Sequence, residues 1–140
     1  MFRVAVCDSD SDNLCRLREL TARLPFRTAC ECFMDADAFL RTCAHTVFDL
    51  TLLNVLSAKE SFNRAVAIRT CLRSGALILM TDDPWCITRA FRAQPDQFLF
   101  KPVRDEDFFE AVQTVLRQRC RRQSAARLTF LCPSGLITLR

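Results

Sequence analysis

The chain has 140 residues, half of them hydrophobic, and a formal net charge of +4. That length suits one domain, and that apolar share excludes a globally disordered chain. No apolar run nears the about 20 residues that a membrane-spanning helix needs. The opening Met1-Phe2-Arg3-Val4 enters a strand pattern at once, without the basic, apolar and cleavage regions of a signal peptide, so a cytoplasmic protein with no membrane contact is expected.

Phe2 to Cys7 reads as the first strand. Asp8-Ser9-Asp10-Ser11-Asp12 follows, rich in side chains that accept from the free N–H groups of a helix start. A helix is predicted from about Asn13 to Leu24, with Leu14, Leu17, Thr21 and Leu24 on one face and Pro25 as its stop. Thr28 to Phe33 alternates and reads as an edge strand, and Asp35 caps a short helix carrying Phe39, Leu40 and Cys43. Phe48-Asp49-Leu50-Thr51-Leu52-Leu53-Asn54 is an apolar run with an abrupt polar end, the mark of a strand buried on both faces. A helix from about Ser61 to Arg73 turns Phe62, Ala65, Ile68 and Leu72 inward, with Gly75 placed as its C-terminal cap. Ala76 to Met80 is the fourth strand. Asp83-Pro84 then starts a helix expected to reach about Ala93. Gln97 to Phe100 is the fifth strand. The helix from about Asp105 to Arg122 sets Phe108, Phe109, Val112, Val115, Leu116 and Cys120 on one face.

Strand and helix alternate five times, which predicts an α/β fold: a flavodoxin-like (βα)5 doubly wound parallel sheet with strand order 2-1-3-4-5. Such sheets bind ligands at the C-terminal ends of their strands, at the point between the first and third strands. Four strand ends carry polar residues there: Asp8, Asn54, Thr81 and Lys101. The last stretch differs from this unit. Leu128 to Cys132 and Leu136 to Leu139 flank Pro133-Ser134-Gly135 and read as a β-hairpin, too little to be stable alone.

The nine cysteines are odd in number and scattered, and most fall at apolar-periodic positions, so reduced, hydrophobic thiols are expected. Cys30-Glu31-Cys32 is the only close pair. Its sulfurs point to one sheet face, but it lacks the spacing of a zinc or redox motif. His45 has no partner motif and is expected at the surface. Arg117, Arg119, Arg121, Arg122 and Arg127 crowd the C-terminal region, either as a solvated helix end or as a contact for nucleic acid or an acidic partner.

On these residues the chain resembles a bacterial response-regulator receiver domain over residues 1–123. Its acidic stretch follows strand 1, its polar site residue ends strand 3, Thr81 ends strand 4, and Phe98 precedes Lys101-Pro102 after strand 5. Val4-Ala5-Val6-Cys7-Asp8 and the run from Leu128 are similar to the LytR/AlgR branch. The resemblance implies that residues 124–140 are a linker and the truncated start of a LytTR-like β DNA-binding domain. It also implies an aspartate at position 54 that accepts a phosphoryl group from a histidine kinase. Two acids after strand 1 would join that aspartate in holding Mg²⁺. Thr81 and Lys101 would bind the phosphoryl oxygens, and Thr81 and Phe98 would move together as a switch.

This chain departs from that pattern. Asn54 stands at the phosphoacceptor position, and an amide offers no anionic oxygen to form an acyl phosphate. Ser9 stands where the second acid belongs, which leaves Asp8 and, at the next position, Asp10. Mg²⁺ asks for hard charged oxygens, so its binding is expected to be weak or lost, and no cofactor is expected. Asp82 after Thr81 adds bulk and negative charge where the family has a small residue. Asp8 and Lys101 are expected to pair as buried ions. Thr81 is expected either to cap the next helix or to hydrogen-bond the Asn54 amide, and Phe98 to pack.

The resulting expectation is a pseudo-receiver, not an enzyme, that works in transcription regulation through protein contacts. Its partner would be a histidine kinase or other regulatory protein, or a second copy docked on the face of helix 4, strand 5 and helix 5. DNA would be reached only through the incomplete C-terminal domain. The alternatives are a phosphorelay receiver using Asp8 or Asp10, and DNA binding by the arginine-rich end.

Overall fold

The computed structural model describes residues 1–56, 59–72 and 75–131, and only the backbone of 59–61 and 123–131. The order is β1 (Phe2–Cys7), α1 (Ser11–Ala22), β2 (Thr28–Phe33), α2 (Ala36–Cys43), β3 (Leu50–Asn54), α3 (Lys59–Leu72), β4 (Ala76–Thr81), α4 (Ile87–Ala90), β5 (Gln97–Phe100) and α5 (Asp105–Leu131). The five strands are parallel in the order β2-β1-β3-β4-β5, as the alternation of elements predicts.

Alternation along each strand sends successive side chains to opposite faces. Val4, Val6, Leu50, Leu52, Ile78 and Met80 meet α1 and α5 through Leu14, Leu17, Phe108, Val112 and Val115. Ala5, Leu53, Leu77 and Leu79 meet the other helices through Phe39, Phe62, Ile68 and Ala90. Both clusters are buried, and each large side chain contributes roughly 1.5–3 kcal/mol. Every residue of β4, and all of β3 but Asn54, is buried. That is why these two strands read as continuous apolar runs.

Helix starts follow their capping side chains. Asp10 accepts from the N–H groups of Asp12 and Asn13, Asp35 from Asp37, and Asp83 from Trp85. Gly75 turns the chain after α3, its N–H donating to the Leu72 carbonyl at 3.0 Å. It is a glycine for want of space: a Cβ there would sit 2.5 Å from the Phe48 carbonyl oxygen.

Two expectations need correction. The helix predicted from Asp83 to Ala93 is broken into a 3-10 turn (Pro84–Cys86), one α turn (Ile87–Ala90) and a second 3-10 turn (Phe91–Ala93). Cys86, Ala90 and Ala93 still form one buried stripe, and Gln94 closes it with a left-handed backbone (φ 51°, ψ 55°). At the other end α5 continues to Leu131, so Leu128–Leu131 is helical and not the first strand of a hairpin. Neither proline nor glycine interrupts residues 103–132, and Gln123, Ala125, Ala126 and Arg127 are good helix formers. The second half of the expected hairpin lies outside the described residues.

Two arginines of the C-terminal group contact the body of the domain. Arg119 donates to the Asp49 carbonyl at 2.6 Å. Arg122 reaches Asp96 at 3.6 Å, and Asp96 also pairs with Arg69 and accepts from the Leu77 N–H. At the opposite end of the helix Arg16 of α1 and Arg23, the residue that follows it, grip Asp105, which holds its carboxyl below the ordinary carboxylate range. α5 is therefore pinned at both ends of its packed length. Among the described residues no helix is long and apolar enough to cross a membrane.

Candidate functional site

The C-terminal edge of the sheet is a polar crevice. β1 and β3 are neighbours with Cys7 level with Leu53, so Asp8 and Asn54 emerge side by side. β4 and β5 end beside them, with the Lys101 N–H donating to the Thr81 carbonyl at 2.8 Å. The fold thus brings the four predicted strand-end residues to one edge.

Asp8 is the centre of that edge and is buried. Lys101 Nζ lies 2.9 Å from its Oδ2, and the Lys101 side chain is itself only 17 % exposed. The expected ion pair is present. Asn13 Nδ2 donates to the same oxygen at 2.7 Å, and the Asp10 N–H donates to Oδ1 at 3.0 Å. Both carboxylate oxygens are therefore occupied by groups of the chain itself.

The remaining residues divide. Asp10 does not reach into the crevice, because its carboxylate is the cap of α1. Thr81 is buried and accepts from the Asp83 N–H at 3.1 Å, so it braces the chain ahead of α4, while the cap expected of it is supplied by Asp83. Asp82 is exposed. Phe98 packs edge-on against Phe91 at 5.4 Å, as plain packing requires. Pro102 follows Lys101 through a cis peptide bond.

On the α2–α3 side the crevice opens into a cavity of about 430 Å³, lined by Cys7, Asp8, Ser9, Met34, Asp35, Asn54 and Arg64 among others. Ser9 is exposed and Asn54 half-buried. Among the described residues no side chain hydrogen-bonds the Asn54 carboxamide. Arg64 is tied to Asp37 at 3.4 Å. The Cys7 thiol in the wall is pushed up to about 12 by burial and by the neighbouring Asp8 carboxylate, so it stays protonated at neutral pH and is no nucleophile.

Asn13 and Arg64 are the site residues that sequence reasoning missed. Asn13 was legible only as a helix start, yet it lies one turn before Leu17 on the buried face of α1. A polar residue at the head of an apolar stripe needs a buried partner, and Asp8 is that partner.

No family model and no curated protein matches this chain. Solved structures do. The signal receiver domain of an HD domain-containing protein from Pseudomonas fluorescens Pf-5 is similar over 84 % of this chain and 96 % of its own, at 24 % identity and a TM-score of 0.74. A response regulator receiver domain protein (CheY-like) from Methanospirillum hungatei JF-1 is similar over 87 % of this chain and 98 % of its own, at 18 % identity and a TM-score of 0.75. A two-component response regulator from Clostridium difficile gives 18 % identity and 0.73, over 84 % and 97 %. The chain has the CheY-like receiver form of the flavodoxin-like fold.

Proposed function

We propose that the chain is a receiver-type regulatory module that has lost phosphoryl transfer and acts through protein contacts. One observation carries the reading. The strand end that faces Asp8 in the crevice bears an amide, Asn54, and the Asp8 carboxylate beside it is already bonded on both oxygens. A phosphoacceptor must be a free anionic oxygen. Asp8 is buried against Lys101 and Asn13, and Asp10 is spent on its helix cap, which also argues against the phosphorelay alternative.

The donor set does not fit Mg²⁺ either. The ion keeps an octahedral shell of oxygens and is held by carboxylates. Here it would meet the engaged Asp8 carboxylate, an Asp35 carboxylate that caps α2, a serine hydroxyl and a carboxamide. No step of the proposed function runs through a metal or a cofactor, and the module is not an enzyme.

The partner is a regulatory protein of the cytoplasm or a second copy. The α4–β5–α5 face supports self-association: Phe91 and Phe100 are 61 % and 46 % exposed. The α4 segment contributes Arg89 and Arg92, while Asp107 and Glu110 of α5 line the groove beside Phe100. A two-fold arrangement sets unlike charges opposite each other around an apolar centre. DNA binding by the arginine-rich end is less favoured, since Arg119 is spent on the Asp49 carbonyl and Arg122 is partly neutralised by Asp96. The LytR/AlgR assignment rests on the first strand and the run from Leu128, and the helical state of Leu128–Leu131 weakens it.

The test is incubation of the chain with acetyl phosphate and Mg²⁺, read by intact mass. No gain of a phosphoryl group is expected. A stable gain that is lost on Asp8→Ala or Asp10→Ala would overturn the proposal.

A further inference from the structure

The edge of the sheet opposite β5 carries a second cluster. β2 is the outer strand, and Cys30 and Cys32 are level with Val4 and Val6 of β1, so both thiols lie on the α1 face. Both are half-buried and pack against the core there. The two thiols are near neighbours of one another, with Thr21 beside Cys30 and the Arg18 guanidinium of α1 beside Cys32.

These thiols are poorly placed for a disulfide. Residues two apart on a strand are about 6.6 Å apart along it, while a disulfide needs its Cβ atoms about 4 Å apart. An ion held in line between the sulfurs asks for less. It keeps them two metal–sulfur bonds apart, roughly 4.6 Å on a zinc–thiolate length. Soft thiolates select Cu(I), Zn(II) or iron–sulfur clusters, and the last two want four ligands. Among the described residues no three His, Cys, Asp or Glu side chains group as a metal site, so nothing completes such a shell. A two-coordinate soft ion needs only the pair.

We propose that Cys30 and Cys32 form a two-thiolate site for Cu(I), with Arg18 as its counter-charge. Each S–H releases its proton to solvent as its S–Cu bond forms, with no change of oxidation state. Two thiolates and one Cu(I) carry a net charge of −1, which the guanidinium beside Cys32 cancels at a half-buried position. The open side of β2 gives the ion its way in.

The experiment is an anaerobic titration of the reduced 140-residue chain with Cu(I) against bathocuproine disulfonate. One ion per chain is expected to be withdrawn from the chelator. Cys30→Ser and Cys32→Ser should each abolish this, Arg18→Gln should weaken it roughly tenfold, and Cys43→Ser/Cys71→Ser should leave it intact. Loss of the ion in Cys43→Ser/Cys71→Ser, or its retention in a folded Cys30→Ala/Cys32→Ala, would overturn the site. Wild-type chain gives an independent reading: Cu(I) should shield Cys30 and Cys32 from iodoacetamide, as seen by peptide mass. Equal alkylation with and without Cu(I) would end the proposal.

Discussion

The crevice has two halves that differ in how their polar groups are satisfied. On the α1–α5 side Asp8, Asn13, Lys101 and the Asp10 N–H form a closed set in which each group meets another at 3.0 Å or less. On the α2–α3 side Ser9 and Asn54 face a cavity of about 430 Å³ and lean on nothing among the described residues. A buried polar set is stable only when complete, because an orphaned charge in a low-dielectric interior costs several kcal/mol. The first half thus belongs to the scaffold. The second half is free of structural duty and is where loss of a reaction would leave the fold unharmed.

The largest effect is therefore expected on the closed side. Asp8→Ala leaves Lys101 largely buried beside an empty space and removes the acceptor of Asn13. It should cost about 3 kcal/mol, nearer the low end for a broken buried pair because the lysine keeps some access to water. Urea denaturation measures this. A loss below about 1 kcal/mol would mean that the two halves of the crevice do not differ as argued.

How far the sequence reveals this contrast depends on the range of the interaction. The strand order, the crevice and the Asp8–Lys101 pair were legible, because strand periodicity and polar strand ends are local signals that a parallel sheet gathers at one edge. Asn13 was not, since its role depends on which face of α1 meets β1, and a polar residue in a cap-rich stretch reads equally well as a cap. Thr81 had two open partners, and the backbone turn at Asp83 gives it another, leaving the cap to Asp83 itself. The end of α5 was misread for a different reason. Leu128-Thr129-Phe130-Leu131 has strand-forming residues, but the helix it follows has no breaker before Pro133 and simply propagates.

Beneath the crevice lies a third kind of polar group, neither paired nor open. The Thr51 hydroxyl in β3 is buried and has no hydrogen-bond partner among the described residues. Its desolvation is uncompensated, so Thr51→Val, which keeps the branched shape, should stabilise the chain by roughly 1 kcal/mol. The melting temperature should rise by about 4 °C. A fall instead would mean that the hydroxyl is served by a buried water and that β3 is better satisfied than its own side chains indicate.

The smallest effect is expected at the residue on which the proposed function turns. Asn54 ends β3, half-buried, with its amide unengaged among the described residues. Asn54→Ala should change the urea midpoint by no more than about 0.5 kcal/mol in stability, the range of a substitution that breaks no buried bond. Measured beside Asp8→Ala, it separates two accounts of why an amide sits there. If the amide tied β3 to its neighbours, its removal would cost 1 kcal/mol or more and Asn54 would be a structural replacement for a lost acid. If it costs nothing, the position carries no load in the fold, and what holds the rest of the crevice in shape is the Asp8 set alone.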